Sequence, residues 1–177
     1  MSRTTIYFSA LALIVVLFGA AYWFLTAPLQ QPPAAEVEVP DHFAVFLEHK
    51  ACAGNCPVYA VLAKASGTVE YVGEKNVATT GSHKASLQRE QLVALVHAVK
   101  NANFFSTPDI YHNGVGGRGC KSLKPGQAAI IIGVTRNADT KVIHYDYGCG
   151  GAPASLGKLA DQIDQILRTD RWTAATT

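Results

Sequence analysis

Charge is scarce in these 177 residues. Lys and Arg number 15 and Asp and Glu 13, so charged residues make up only 16% of the chain against 49% hydrophobic. An intrinsically disordered chain needs the reverse, high charge with low hydrophobicity, and that class is excluded. A net charge of +2 supplies neither the basic surface that nucleic acid demands nor an acidic solvating tail. No Lys or Arg stands between Arg3 and Lys50, and no Cys precedes Cys52, so a lipid-modified N-terminal cysteine is not expected. Past the first 25 residues no second long apolar run occurs, which excludes a polytopic membrane protein. Also missing are a Gly-x-Ser-x-Gly elbow, a His-Glu-x-x-His zinc helix and a paired-carboxylate motif. No catalytic residue, metal ligand or cofactor site is assigned on motif grounds.

What the chain does have is one apolar run. Residues 6–25 read IYFSALALIVVLFGAAYWFL, with only Ser9 and Gly19 outside the apolar set. At ~1.5 Å per residue a helix of that length crosses a hydrocarbon core of ~30 Å. The run explains a mean hydropathy of +0.12, because without it the composition is that of an ordinary globular domain. Arg3 before the run and no cation after it until Lys50 place residues 1–5 in the cytoplasm and the rest in the periplasm. The expectation is a single-pass inner-membrane signal anchor. Cleavage after Gly19-Ala20-Ala21 and secretion is the alternative, disfavoured because the run is longer than a secretory h-region and continues beyond that site. Residues 26–41 hold four of the eight prolines and read as an extended linker.

Residues 42–173 are expected to form one exported domain, with residues 174–177 as a disordered tail. Strands are expected at residues 43–49, 58–64 and 68–73, the last two joined through Ala65-Ser66-Gly67, with a further edge strand at 76–80. A second hairpin pairs 128–134 with 141–146. Leu92, Leu95, Val96 and Val99 form one helical stripe, with Ser86 as its cap. Leu156, Leu159, Ile163, Ile166 and Leu167 form another, entered through Pro153 as first helical residue, and Trp172 plugs the core beside it. With hairpins predominating, the fold class is α+β: an antiparallel sheet of about five strands with two helices on one face, preceded by one transmembrane helix.

Four cysteines, Cys52, Cys56, Cys120 and Cys149, in an exported segment point to disulfides. Three pairings exist on paper. Cys52 with Cys56 and Cys120 with Cys149 are sterically reasonable local pairs and are the expected ones, while joining Cys52 or Cys56 to Cys149 would stabilise slightly more and stays open. A four-thiolate zinc site is disfavoured because C-x3-C is not the usual C-x2-C knuckle. Thiol-disulfide catalysis is disfavoured because residues 58–64, after Pro57, read as strand, whereas a reactive C-x-x-C opens a helix.

Other constellations are weaker. The loop around GVGGRGCKS is locally basic through Arg118, Lys121 and Lys124, but Cys120 between Gly119 and Lys121 breaks the phosphate-loop pattern. His144 and Asp146 alternate on one strand face, and with His83 they form a candidate polar cluster for acid/base chemistry; surface strand histidines are the more ordinary reading. Tyr59, Tyr71, Tyr145 and Tyr147 fit cross-strand packing better than a ligand platform.

The stretch Cys52-Ala53-Gly54-Asn55-Cys56-Pro57-Val58-Tyr59 resembles the C-x-G-x-C-P-x-Y signature of a bacterial envelope domain family of unknown function, often carried by lipoproteins or singly anchored proteins. Further matches follow in order. They are Gly67-Thr68-Val69-Glu70-Tyr71-Val72-Gly73, Asn76-Val77 with Gly81 and His83, Phe104-Phe105-Ser106, the run from Tyr147 through Cys149 to Pro153, and Ile163-Asp164 leading to Trp172. The resemblance supports a Cys52–Cys56 bond and implies no activity, so it transfers no catalytic residue. The functional expectation is a membrane-tethered, non-catalytic module. Its partners are the inner membrane, through residues 6–25, and an envelope protein or cell-wall component. The alternative is a thiol-redox, metal-binding or hydrolytic enzyme using the cysteines or the His144/Asp146 pair.

Overall fold

Strict alternation builds the sheet. Strand β1, Ala44–His49, buries Val45 and Leu47, and β2, Val58–Lys64, buries Tyr59, Val61 and Ala63, while their alternate residues stay partly exposed. A period of two puts those buried residues on one face. Strand β3, Thr68–Lys75, follows a turn in which Gly67 holds φ 81°, and an added Cβ there would lie 2.8 Å from the Leu87 carbonyl oxygen. The computed structural model describes residues 37–111 and 120–174, and the chain from Val37 onward is a single unit. The expected transmembrane helix, most of the linker, residues 113–119 of the glycine loop and residues 175–177 lie outside the described residues. No helix among the described residues is long and apolar enough to cross a membrane.

The edge strand expected at residues 76–80 is β4, Gly81–Ser86, instead. Asn76 takes φ 55° and donates from Nδ2 to the Cys56 carbonyl at 2.9 Å, so the chain turns there rather than pairing. The sequence GSHKAS has no β-branched or aromatic residue; pairing with β3 imposes the strand. Strands β5 (Ile110–Tyr111), β6 (Ser122–Leu123), β7 (Ala129–Arg136), β8 (Asp139–Asp146) and β9 (Cys149–Gly150) complete the set. The sheet is therefore larger than the expected five antiparallel strands. Seven strands run in the order β4-β3-β2-β1-β7-β8-β5, with β5 parallel to β8, and β6 pairs with β9 separately. The three added strands have two residues each, too short for any periodicity to mark them.

Helix α1, Arg89–Asn101, is capped by Gln88 through a reciprocal box with Gln91, not by Ser86, which is spent in β4. Helix α2, Ala154–Leu167, takes Pro153 as its N-cap, one position before the expected one. A single turn, α3, Asp170–Thr173, is a third helix that no apolar stripe announces. Leu95, Leu156, Leu159 and Ile163 are fully buried in one cluster with Val45, Leu47, Ile132 and Ile143, so α1 and α2 cover the same sheet face and pack against each other. Trp172 is buried and stacks on Tyr71 with ring centroids 4.6 Å apart, the core plug that the sequence suggests.

Candidate functional site

The four sulfurs are all engaged. Cys52 bonds Cys56 and Cys120 bonds Cys149, with Cα separations of 5.7 and 5.0 Å. The local pairing thus holds over the long-range one. The small Cys52–Cys56 loop docks on its neighbour through the Ala53 amide, which donates to the Gly126 carbonyl at 3.1 Å. No free cysteine and no group of three or more metal-ligating side chains occurs among the described residues.

The polar cluster read from sequence does not converge. His144 and Asp146 do share a face of β8, opposite Ile131 and Ala129. His83 pairs with Tyr71 on β4, on the helix-covered face, five strand spacings or about 24 Å across the sheet. There its Nε2 meets the Thr80 carbonyl at 3.1 Å. Asp146 Oδ1 accepts the Gly148 amide at 2.7 Å, a turn bond that positions the β8–β9 corner. The tyrosines are packing residues: Tyr59 lies between His49, stacked at 4.6 Å, and Tyr71 at 5.6 Å, and Tyr145 meets Tyr147 edge-on at 5.0 Å. Tyr147 remains 40% exposed, and its hydroxyl is pushed up to about 12 by burial of the phenol and by the nearby Asp161 charge.

A tighter centre forms around Asp164, to which no catalytic motif points. Ile163 anchors α2 in the core, and the next residue, Asp164, turns its carboxylate toward β1 and β2. Oδ1 accepts from the Tyr59 hydroxyl at 2.7 Å and the Thr169 hydroxyl at 2.8 Å, while Oδ2 accepts from His49 Nε2 at 2.9 Å. The Thr169 amide also donates to the Asp164 carbonyl at 3.1 Å, which fixes the entry to α3. Burial and the Asp164 charge hold the Tyr59 hydroxyl far above the ordinary phenol range, so it acts as a donor and not as a base. A carboxylate with three donors on two oxygens is likewise spent on fastening. The centre joins β1, β2, α2 and α3 as a latch. Tyr59 and Asp164 stand 105 residues apart, and no spacing rule links such a pair.

The latch itself borders a cleft of about 360 Å³ lined by Tyr59, Asp164, Arg168, Thr169 and Asp170, and two more apolar surfaces stand apart from it. One is the sheet face opposite the helices. Register places Val142, Gly133, Phe46 and Leu62 side by side across β8, β7, β1 and β2; in the adjacent row Glu48 stands between Ile131 and Ala60, with Val72 beyond them. Val72 and Val142 are 41% and 44% exposed, and Lys64 bridges to Glu70 at 2.8 Å beside them. The other is a cleft of about 270 Å³ between α1, the turn at Phe104–Ser106 and the β7–β8 hairpin. The family described as a domain of unknown function, DUF6438, matches residues 43–167, from the start of the sheet to the end of α2. No curated protein matches the chain.

Proposed function

The chain belongs to the DUF6438 family of domains of unknown function, and from that premise we propose that it is a membrane-tethered extracytoplasmic module that binds an envelope protein through its open sheet face. The face carries the reading. A seven-stranded sheet with helices on one side leaves a row of apolar side chains, Val142, Phe46 and Leu62, without a covering layer among the described residues. Apolar surface of this kind is retained on stable domains where a partner covers it. The row spans at least four strands, which suits a protein surface better than a small molecule. The tether is supported by the uncharged run at residues 6–25 with Arg3 before it, and the extracytoplasmic side by two disulfides that use every described cysteine. A non-catalytic role agrees with a carboxylate that already holds three donors and with the disulfide bonding of the described cysteines.

The test is crosslinking of intact envelopes with the full chain, comparing the natural sequence with Val72→Glu/Val142→Glu. A defined partner captured by the first and lost by the second, with unchanged thermal stability, is the expected result. Equal capture by both variants, or by an unrelated domain on the same anchor, sinks the reading. Covalent retention on cell wall in place of protein would redirect it to a wall component.

A further inference from the structure

The cleft beside α1 has a chemistry unlike that of the open sheet face. Phe43, Val96, Phe104 and Phe105 give it apolar walls, and Lys100 and Arg136 are the charged residues that line it. Among the described residues no carboxylate lines it; Glu38 and Asp41 open onto a neighbouring depression that shares Pro40 and includes Asn137. Arg136 sits over Phe105 with its Cζ 4.3 Å from the ring centroid, a cation–π contact that holds the guanidinium beside the cleft. Its contact with Asp139 spans 3.5 Å with both side chains more than half exposed, an ion pair worth under about 1 kcal/mol and readily exchanged. The site therefore suits an amphiphile with one anionic group and one apolar portion.

Chain length selects the source. Pro40, where the chain enters the domain, is itself a cleft residue. From the end of the apolar run at residue 25 to Pro40 is about 15 residues, a length of chain that reaches at most about 54 Å. A tether of that length holds the cleft at a high effective concentration of bilayer surface. We infer that the cleft takes an anionic phospholipid of the host bilayer, with its phosphate between Lys100 and Arg136 and its apolar portion against Phe104 and Phe105. This rests on the tether proposed above. A volume of about 270 Å³ admits part of one lipid rather than a whole one, so the domain leans on the membrane without extracting from it.

The experiment uses the full chain reconstituted in phosphatidylcholine vesicles doped with phosphatidylglycerol that carries a photoactivatable acyl chain. Peptide mapping should find the label on residues 96–106. Labelling should fall about thirtyfold in Lys100→Gln/Arg136→Gln, as expected for two cations lost near an anionic surface at about 1 kcal/mol each, and persist in Lys100→Arg/Arg136→Lys. Circular dichroism confirms that each variant is folded. If the charge-removed variant labels as well as the natural chain, or photoactivatable phosphatidylcholine labels equally, the lipid site is overturned while the tether stands. Suppression by a soluble fatty acid would assign the cleft to a free carboxylate and overturn the bilayer source. Failure of the chain to float with vesicles after carbonate washing would overturn the tether itself.

Discussion

Replacing Asp164 by Ala should cost this domain about 3–4 kcal/mol. The change removes the acceptor for three donors at once: Tyr59, Thr169 and His49. Hydrogen bonds to an ionised group contribute about 1.5–3 kcal/mol each, and an orphaned buried donor such as the Tyr59 hydroxyl adds a desolvation penalty. The His49 and Asp164 side chains keep 18% and 20% of their exposure, so water screens the three bonds below that range, to about 1 kcal/mol each, and the orphan penalty brings the total to about 3–4. Asp164→Asn is milder, at about 1–2 kcal/mol, because its carbonyl still accepts from Tyr59 and the His49 ring can change tautomer to meet the amide. The measurement is urea unfolding of each variant at neutral pH, followed by far-ultraviolet circular dichroism with the slope held as a check on the denatured state. In a thermal scan the Ala variant should melt about 10 °C lower. Tyr59→Phe in both backgrounds closes a double-mutant cycle whose coupling should exceed about 1 kcal/mol. A loss below about 1 kcal/mol for Asp164→Ala, or no coupling with Tyr59, would refute the latch.

Loss of the Cys120–Cys149 bond by paired Ala substitutions should cost about 3.6 kcal/mol on the chain-entropy scale, against about 2 for Cys52–Cys56, because the closed loops differ in length; chemical denaturation of the two variants ranks them. Gly148→Ala should destabilise by more than about 2 kcal/mol, since an added Cβ runs into the Lys124 carbonyl oxygen and a backbone atom yields least; an unchanged melting temperature would refute it. Raised phenol values predict alkaline sensitivity. A Tyr whose folded value lies above its unfolded value near 10 contributes fully below pH ~10 and loses that contribution as pH climbs. For Tyr147, held up to about 12, the loss falls between pH ~10 and about 12, so Tyr147→Phe should flatten stability across that window in a pH series of melts.

The sheet's middle was legible because its strands are long enough to alternate. Strand β2 starts at Val58 and stops at Lys64 as its pattern indicates, and both helix stripes bury their Leu and Ile positions. Where local chemistry is weak, neighbours decide: β4 is a polar segment made a strand by β3, and β5, β6 and β9 exist only because of what lies beside them. The disulfides followed from local proximity. Asp164 did not, since a latch joining residues 49, 59, 164 and 169 is a product of the completed fold. His83 and His144 show the opposite error, residues alike in sequence character that the strand order carries to far sides of the molecule.

The position of β1 carries a consequence in time. It is the first strand to leave the ribosome and lies at the middle of the sheet, with Ala44 opposite Lys64 on one side and Thr135 on the other. The meander β1 to β4 can therefore zip up early, and the Cys52–Cys56 bond can close within it. After the meander ends at Ser86, the second edge of β1 stays open for about fifty further residues, until β7 is complete at Arg136 and docks; Asp164 reaches Tyr59 later still. Such long-separation pairing slows folding. During that wait the half-built sheet offers a bare central edge to any passing strand, so assembly of this domain should be gated by the pace of its own C-terminal half.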